Sequence, residues 1–406
     1  MRWVYQEFAW TKRKRKGEFI MINGEKVLDH PIRWAMVGGG RGSQIGYIHR
    51  SAALRDRSFE LVAGAFDINP ERGKDFGIQL GVNPDRCYPD YKTMLAEEAK
   101  RGDDKIEAVT IAVPNGLHYE VCKAVLEAGF HAVCEKPLCF TTEQAEELVH
   151  LADSKGLVVG VTYGYSGHQL IEQARQMVLH GDLGEIRLVK MQFPFGAYNT
   201  PVEETNSAAR WRMDPTKAGP SFVLGDVGTH PLFLAETMVP DFEIESLMCT
   251  TKSFIPTRKL EDNAFVIMNL KGGAQATCWA SAINCGALHG QKVRIVGSKA
   301  SVEWYDERPN QLTYEIEGEP VRILERGGAY LYPSARAEDR ISGGHTEGLF
   351  DAWSNLYRRF AIAMEKANKG EKVDFWYPDV HAGAEGVKWV EKCVESAKKG
   401  AVWVKY

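Results

Sequence analysis

Between residues 32 and 67 an apolar strand, Ile32 to Val37, runs straight into the turn Gly38-Gly39-Gly40-Arg41-Gly42-Ser43-Gln44-Ile45-Gly46. A helical stretch to about Ala53 follows, then a second strand, Phe59 to Phe66, that ends in Asp67. Few folds accommodate that order. Strand, glycine turn, helix, strand and terminal acid is the opening unit of a doubly wound parallel sheet that holds a nucleotide. Glycines let the backbone approach a pyrophosphate, the helix N-terminus favours its charge, and the acid accepts hydrogen bonds from ribose hydroxyls. Gly38, Gly40, Gly42, Ser43, Gln44, Ile45 and Asp67 are therefore predicted to meet the ligand. The turn reads GxGxxS, with Ser43 at the place of a third glycine, and Asp67 follows Ser43 at slightly more than the usual spacing of about 20 residues. A tight glycine turn in some other doubly wound protein would look the same over this stretch.

The next strands narrow the choice. Ile106 to Val113 is a continuous apolar run ending in Pro114-Asn115-Gly116-Leu117-His118, and the run resuming at Phe130 ends in Glu135-Lys136-Pro137. Ligands of open α/β sheets lie beyond the carboxyl ends of the strands, so both segments should face one crevice. An acid at position 67 repels a 2′-phosphate, which favours NAD over NADP, with Arg72 nearby working the other way.

Length and composition bound the rest. The chain's 406 residues suit two domains, and 44 % hydrophobic with 26 % charged residues is ordinary for a globular protein. A net charge of -4 implies no wide basic face and argues against a nucleic-acid partner. No apolar run approaches the ~18 residues of a membrane span. The cysteines form no CxxC pair, so we expect reduced thiols, no metal site and a cytoplasmic protein. The basic run Lys12 to Lys16, behind Trp3, Tyr5, Phe8 and Trp10, is expected to be a solvated loop within an N-terminal arm, residues 1–30, packed on the body or on a neighbour.

A second motif lies in KAGPSFVLGDVGTHPLFLAETM, residues 217–238, where Asp226 and His230 are spaced to share one helix face. Pro231 is tolerated only in a first turn, which predicts a helix starting near residues 227–230 with His230 at its entrance. The glycine turn, AVPNGLH at 112–118, CEKPL at 134–138 and GDVGTH at 225–230 together resemble the glucose-fructose oxidoreductase, inositol dehydrogenase and rhizopine-catabolism (Gfo/Idh/MocA) oxidoreductases over most of residues 31–400. The resemblance implies an α/β protein: a Rossmann NAD-binding domain over 31–163, and a C-terminal α+β domain over 164–406 with a large open, mostly antiparallel sheet. It sets Pro114, Asn115, His118 and Glu135 against the cofactor and Lys136 beside the nicotinamide and the substrate hydroxyl. It also implies a cis bond before Pro137, His230 on the reacting hydroxyl and Asp226 supporting the substrate. Two departures make the pocket unusual: Phe233 stands where an aspartate is frequent, and Thr162-Tyr163-Gly164-Tyr165-Ser166-Gly167-His168 where an asparagine and arginine are frequent. Tyr163, Trp211, Arg212 and His345 are pocket candidates, since aromatic faces stack on sugar rings and Arg and His address hydroxyls.

The strand Phe265 to Leu270 is apolar on both faces, which predicts a homodimer or homotetramer through the C-terminal sheet. The chemistry expected is NAD-dependent oxidation of a secondary hydroxyl on a small cyclic polyol, sugar or glycoside. Lys136 would be the proton relay, His230 the hydroxyl-orienting or acid/base group, and Asp226 its partner. Two other readings share these residues: cleavage of a glycoside by transient oxidation and elimination, and a nicotinamide-binding sensor without catalysis. Retention of Lys136, Asp226 and His230 argues against the sensor.

Overall fold

A computed structural model describes residues 27–406, the side chains of 207 and 208 aside. Residues 1–26, which hold the aromatic and basic stretches of the expected arm, lie outside the described part. Strands β1 (Ile32–Gly38), β2 (Phe59–Ala65), β3 (Ala108–Ala112), β4 (His131–Cys134) and β5 (Val159–Val161) form a parallel sheet in the order β2-β1-β3-β4-β5. All of β3 and β4 is buried, as a sheet covered on both faces requires. The order reverses between β1 and β3, and the crevice for a ligand opens at that switch point.

Part of the cover comes from far along the chain. The helix Leu349–Asn368, in the stretch assigned above to the second domain, lays Leu356, Tyr357, Phe360 and Met364 into the core formed with Ile32, Trp34 and Met36. A Cβ at Gly160 of β5 would stand 2.6 Å from the Phe360 ring, so only glycine permits this approach. Full burial of one such side chain is worth about 1.5–3 kcal/mol, and four of them tie this helix firmly to the first sheet.

Among the described residues the second sheet has nine strands: β6 (Ile186–Pro194), β7 (Ile244–Lys252), β8 (Asn263–Leu270), β9 (Gln275–Ser281), β10 (Lys292–Gly297), β11 (Ala300–Tyr305), β12 (Gln311–Ile316), β13 (Arg322–Glu325) and β14 (Val404–Lys405). Their order is β13-β12-β11-β10-β6-β9-β8-β7-β14, with β6 and β9 parallel and the other pairs antiparallel. One face packs on the helices Gln169–Leu179, Thr229–Met238 and Val380–Lys398. Along β8 this buries Val266, Met268 and Leu270 and leaves Phe265 and Ile267 exposed on the other face, where Trp279 stacks on Phe265 at 5.8 Å. The eight cysteines are unpaired.

Candidate active site

The glycine turn is built by close contacts. A Cβ at Gly38 would lie 2.4 Å from the Ala112 carbonyl oxygen, and one at Gly40 the same distance from that of Phe66. Gly42, with φ of +80°, faces open space. Ser43 caps the helix Gln44–Arg55, its Oγ accepting the Gly46 N–H at 3.1 Å. The glycine that lets this helix pack on the turn is Gly46, where a Cβ would sit 2.2 Å from Gly39 O. The third glycine of the turn is thus Gly46, and position 43, where the usual spacing puts it, holds the capping serine. Asp67 follows β2 by two residues, with its carboxylate held by Arg72, Oδ2 to Nε and Oδ1 to Nη2, both at 2.7 Å. The Arg72 hydrogen bonds hold the Asp67 carboxyl below its usual range. An open turn, a helix N-terminus and an acid beside Gly40 fit a dinucleotide.

Beyond the ends of β1, β3 and β4 lies a cleft of about 980 Å³. Gln44, Ile45, Pro114, Asn115, Glu135 and Lys136 line it from the first sheet, and Trp211, Arg212, Asp226 and His230 from the other side. Gly38, Gly40, Gly42, Ser43 and Asp67 are not in this lining and belong to the turn already described, and His118, Tyr163 and His345 stay outside both. His118 is fully buried with its ring nitrogens 2.7 Å from Pro137 O and 3.0 Å from Val113 O, so it braces the two loops behind the cleft. Tyr163 is buried, stacked on Phe233 at 4.6 Å and edge-on to His230 at 6.0 Å; it supports His230 from behind, and Phe233 fills the place where an acid was looked for. His345 is exposed and bonds locally to Ser342.

Other lining residues were missed. Tyr165, Phe193, Phe195, Tyr198, Lys217 and His289 complete the far wall. Tyr165 lay inside the departing segment 162–168, and Phe193 and Phe195 alternate at the end of an apolar strand, both legible signals. His289 sits in a loop between β9 and β10 with no local pattern.

The α-helix that presents His230 begins at Thr229, inside the window set by Pro231, and a π-turn in front of it carries Asp226. Leu224–Gly228 forms a π-turn that continues as Thr229–Met238, with the Thr229 N–H reaching back five residues to Leu224 O. The wider register explains the proline. In it the donor facing Asp226 O would be residue 231, which has no N–H; Lys136 Nζ donates to that carbonyl instead, at 2.6 Å. The same Nζ donates to Asp226 Oδ1 at 2.9 Å, and Arg212 Nε to Oδ2 at 2.9 Å. Asp226 is thus the partner of Lys136 and Arg212, not of His230 as expected. Burial opposes its charge, yet Lys136 and then Arg212 hold its carboxyl well below the usual range.

His230 takes the opposite course. Burial, then the Lys136 charge, pushes its pKa well down, so the ring is neutral, and its buried Nδ1 has no hydrogen-bond partner among the described residues. Glu135 is buried too: Oε1 accepts from Thr162 Oγ1 at 2.6 Å and lies 3.1 Å from His49 Nε2, whose ring meets Tyr357 Oη at 2.7 Å. Although burial raises it, His49 and Thr162 bring the Glu135 carboxyl below its usual value. The peptide bond between Lys136 and Pro137 is cis. The cleft therefore holds a lysine ammonium on a fixed carboxylate and a neutral histidine, side by side with a dinucleotide cradle.

Fold and cleft together define a two-domain nicotinamide-dependent oxidoreductase. Models of an oxidoreductase family match the chain twice, as its NAD-binding Rossmann fold over residues 32–163 and as its C-terminal alpha/beta domain over residues 175–406. The chain belongs to this family, the Gfo/Idh/MocA oxidoreductases, and its first domain is of the NAD-binding kind. The uncharacterized oxidoreductase YfiI of Bacillus subtilis is 52 % identical over 393 residues, 95 % of this chain and 100 % of that one. A crystal structure of an inositol dehydrogenase homolog from Azotobacter vinelandii complexed with NAD+ matches with a TM-score of 0.93 at 61 % identity, covering 95 % of this chain and 100 % of the other. Another from the same organism, complexed with NADH and myo-inositol, matches with a TM-score of 0.90 at 59 % identity and the same coverage. Among the described residues no helix is long and apolar enough to cross a membrane.

Proposed function

We propose that the protein oxidises a secondary hydroxyl of a cyclic polyol of the inositol kind, with NAD as acceptor. The observation that carries this reading is the pairing of Lys136 with Asp226 beside neutral His230, in a cleft that also reaches Gln44 and Ile45 of the dinucleotide turn. NAD, when bound, accepts the hydride from the carbinol carbon. The hydroxyl proton leaves at the same time, so the products are a ketone, NADH and a proton. Lys136 Nζ and the His230 ring flank that hydroxyl: the one N–H of neutral His230 donates to its oxygen and orients it, and Lys136, after releasing a proton of its own, takes the O–H proton and so relays it. Asp226 fixes Lys136, and Arg212 fixes Asp226. Glu135 meets the nicotinamide ribose, and Asp67 the adenosine ribose. Trp211 and Arg212 shape the substrate side, with the guanidinium 4.5 Å over the indole ring.

In the same reading the chain divides near residue 163 and works in the cytoplasm. It assembles as a homodimer or homotetramer through the outer face of the nine-stranded sheet, where Leu188, Phe265 and Ile267 are exposed. A screen of inositols, free sugars, sugar acids and glycosides for NADH absorbance tests the activity. Net NADH from an inositol is expected; consumption of a glycoside without NADH release would replace this reading by bond cleavage.

A further inference from the structure

At the far end of the cleft Asp306, His289 and Tyr165 form a line that the reaction as derived leaves unused. The Asp306 carboxylate contacts His289 Nδ1, and His289 Nε2 lies 3.1 Å from Tyr165 Oη. The Tyr165 ring stands edge-on to His230 with centroids 4.9 Å apart. Phe193 fixes the His289 ring at 4.3 Å, and the backbone N–H groups of His289 and Gly290 donate to Glu307 Oε1 at 3.2 and 2.9 Å. Tyr165 and His289 both line the cleft, while Asp306 is buried behind them.

The direction of the hydrogen bonds follows from what each group can give. Burial pushes His289 down to about 4, so near neutral pH its ring carries one N–H. A carboxylate only accepts, which places that proton on Nδ1, towards Asp306. Nε2 is then an acceptor and takes the Tyr165 O–H. Burial holds the Tyr165 phenol well above its usual range, so it keeps the proton it donates. What Tyr165 presents to the cleft is an oxygen lone pair.

We infer that Tyr165 Oη, oriented by His289 and Asp306, accepts a hydrogen bond from a second hydroxyl of the substrate ring, close to the one that reacts beside His230. Tyr165 is then a substrate contact; His289 and Asp306 are positioning residues. This line of residues admits a free hydroxyl at that place and disfavours an ether, a carbonyl or a carboxylate, each of which would set a second acceptor against the Tyr165 lone pair. The inference rests on the proposed function and adds which ring substituents it tolerates.

The test uses the whole protein with saturating NAD, with myo-inositol and its mono-O-methyl ethers as probes. Tyr165→Phe is expected to raise KM for myo-inositol about tenfold with kcat little changed, the signature of a lost binding contact. His289→Ala should do the same, the double variant should be no worse, and His289→Gln, which keeps an acceptor, should recover part of the loss. One of the methyl ethers should be refused by the unmodified protein and discriminated less by Tyr165→Phe. NAD affinity, read by fluorescence, stays unchanged in folded variants. Independently of turnover, ¹⁵N NMR of the unmodified protein should find His289 as the Nδ1–H tautomer near neutral pH. An Nε2–H tautomer or an imidazolium overturns the inference, as does an unaltered KM in Tyr165→Phe while the unmodified protein turns myo-inositol over. No NADH from any ring polyol in the unmodified protein would overturn the proposed function, and this inference with it.

Discussion

On the cofactor side of the cleft, Asn115 and Lys136 stand just past the ends of parallel strands and Gln44 opens the helix after the β1 turn, whereas on the opposite side Tyr165, Phe193, Arg212, Asp226 and His289 come from two turns, a strand, a π-turn and a loop. The first wall follows from a backbone rule, since a doubly wound sheet delivers whatever follows its strands to one crevice. The second wall is assembled by side-chain contacts, and its polar groups are placed by ion pairs and ring stacking. Its chemistry therefore depends on more residues and is open to more change. Lys136 is where the two meet, rooted after β4 and bonded to Asp226 across the cleft.

The strongest way to break that meeting point is to remove it. Lys136→Met and His230→Ala should each lower kcat/KM by about 10²–10⁴-fold while leaving NAD binding in place. If both serve one hydroxyl, the double variant should be only slightly worse than the poorer single one. Kinetics of the three variants decide this, and fully multiplicative losses would assign the two walls to separate steps.

Asp226→Asn tests the ion pairs that join the walls. The Asp226 carboxyl lies below its unfolded value of about 3.9, so its stabilisation is complete above that pH and is lost as pH falls through the lower folded value. Urea titrations should find the variant about 1–2 kcal/mol less stable at pH 7, a modest figure because Lys136 and Arg212 are partly solvated. The difference should shrink on acidification below about pH 4. A gap that does not change with pH would mean that the charge of Asp226 is not what holds the walls together.

The smallest effect concerns the first wall alone. Asp67→Ser removes the charge that repels a 2′-phosphate and releases Arg72, which could then meet that phosphate, so the preference for NAD over NADP should narrow by about tenfold. Fluorescence titration of both cofactors measures it. Tighter NADP binding by the unmodified protein would overturn the role given to Asp67.

Much of the first wall could be read from the chain, because glycine turns and apolar runs are local signals. Even there, Gly46 escaped the reading: its role comes from a contact with Gly39 that only the packed helix makes. Pro231 marked the start of the α-helix at Thr229 but not the π-turn Leu224–Gly228 ahead of it that carries Asp226, since the proline rule assumes an α-helical register. Tyr163 and His345 were sound choices by residue type, but type says nothing of direction. One stacks on Phe233, and the other remains on the surface.

By itself the sequence determined the doubly wound sheet, the dinucleotide turn, the acid at its second strand and the lysine that ends its fourth, because strand period, glycine conformation and chain order act over a few residues. The tertiary structure alone decided that Asp226 serves Lys136 and Arg212, that His230 is neutral, and that Tyr165 finds His289 at a separation of 124 residues. Charge state and side-chain direction are set by whatever packs alongside, and what packs alongside is chosen by the fold as a whole.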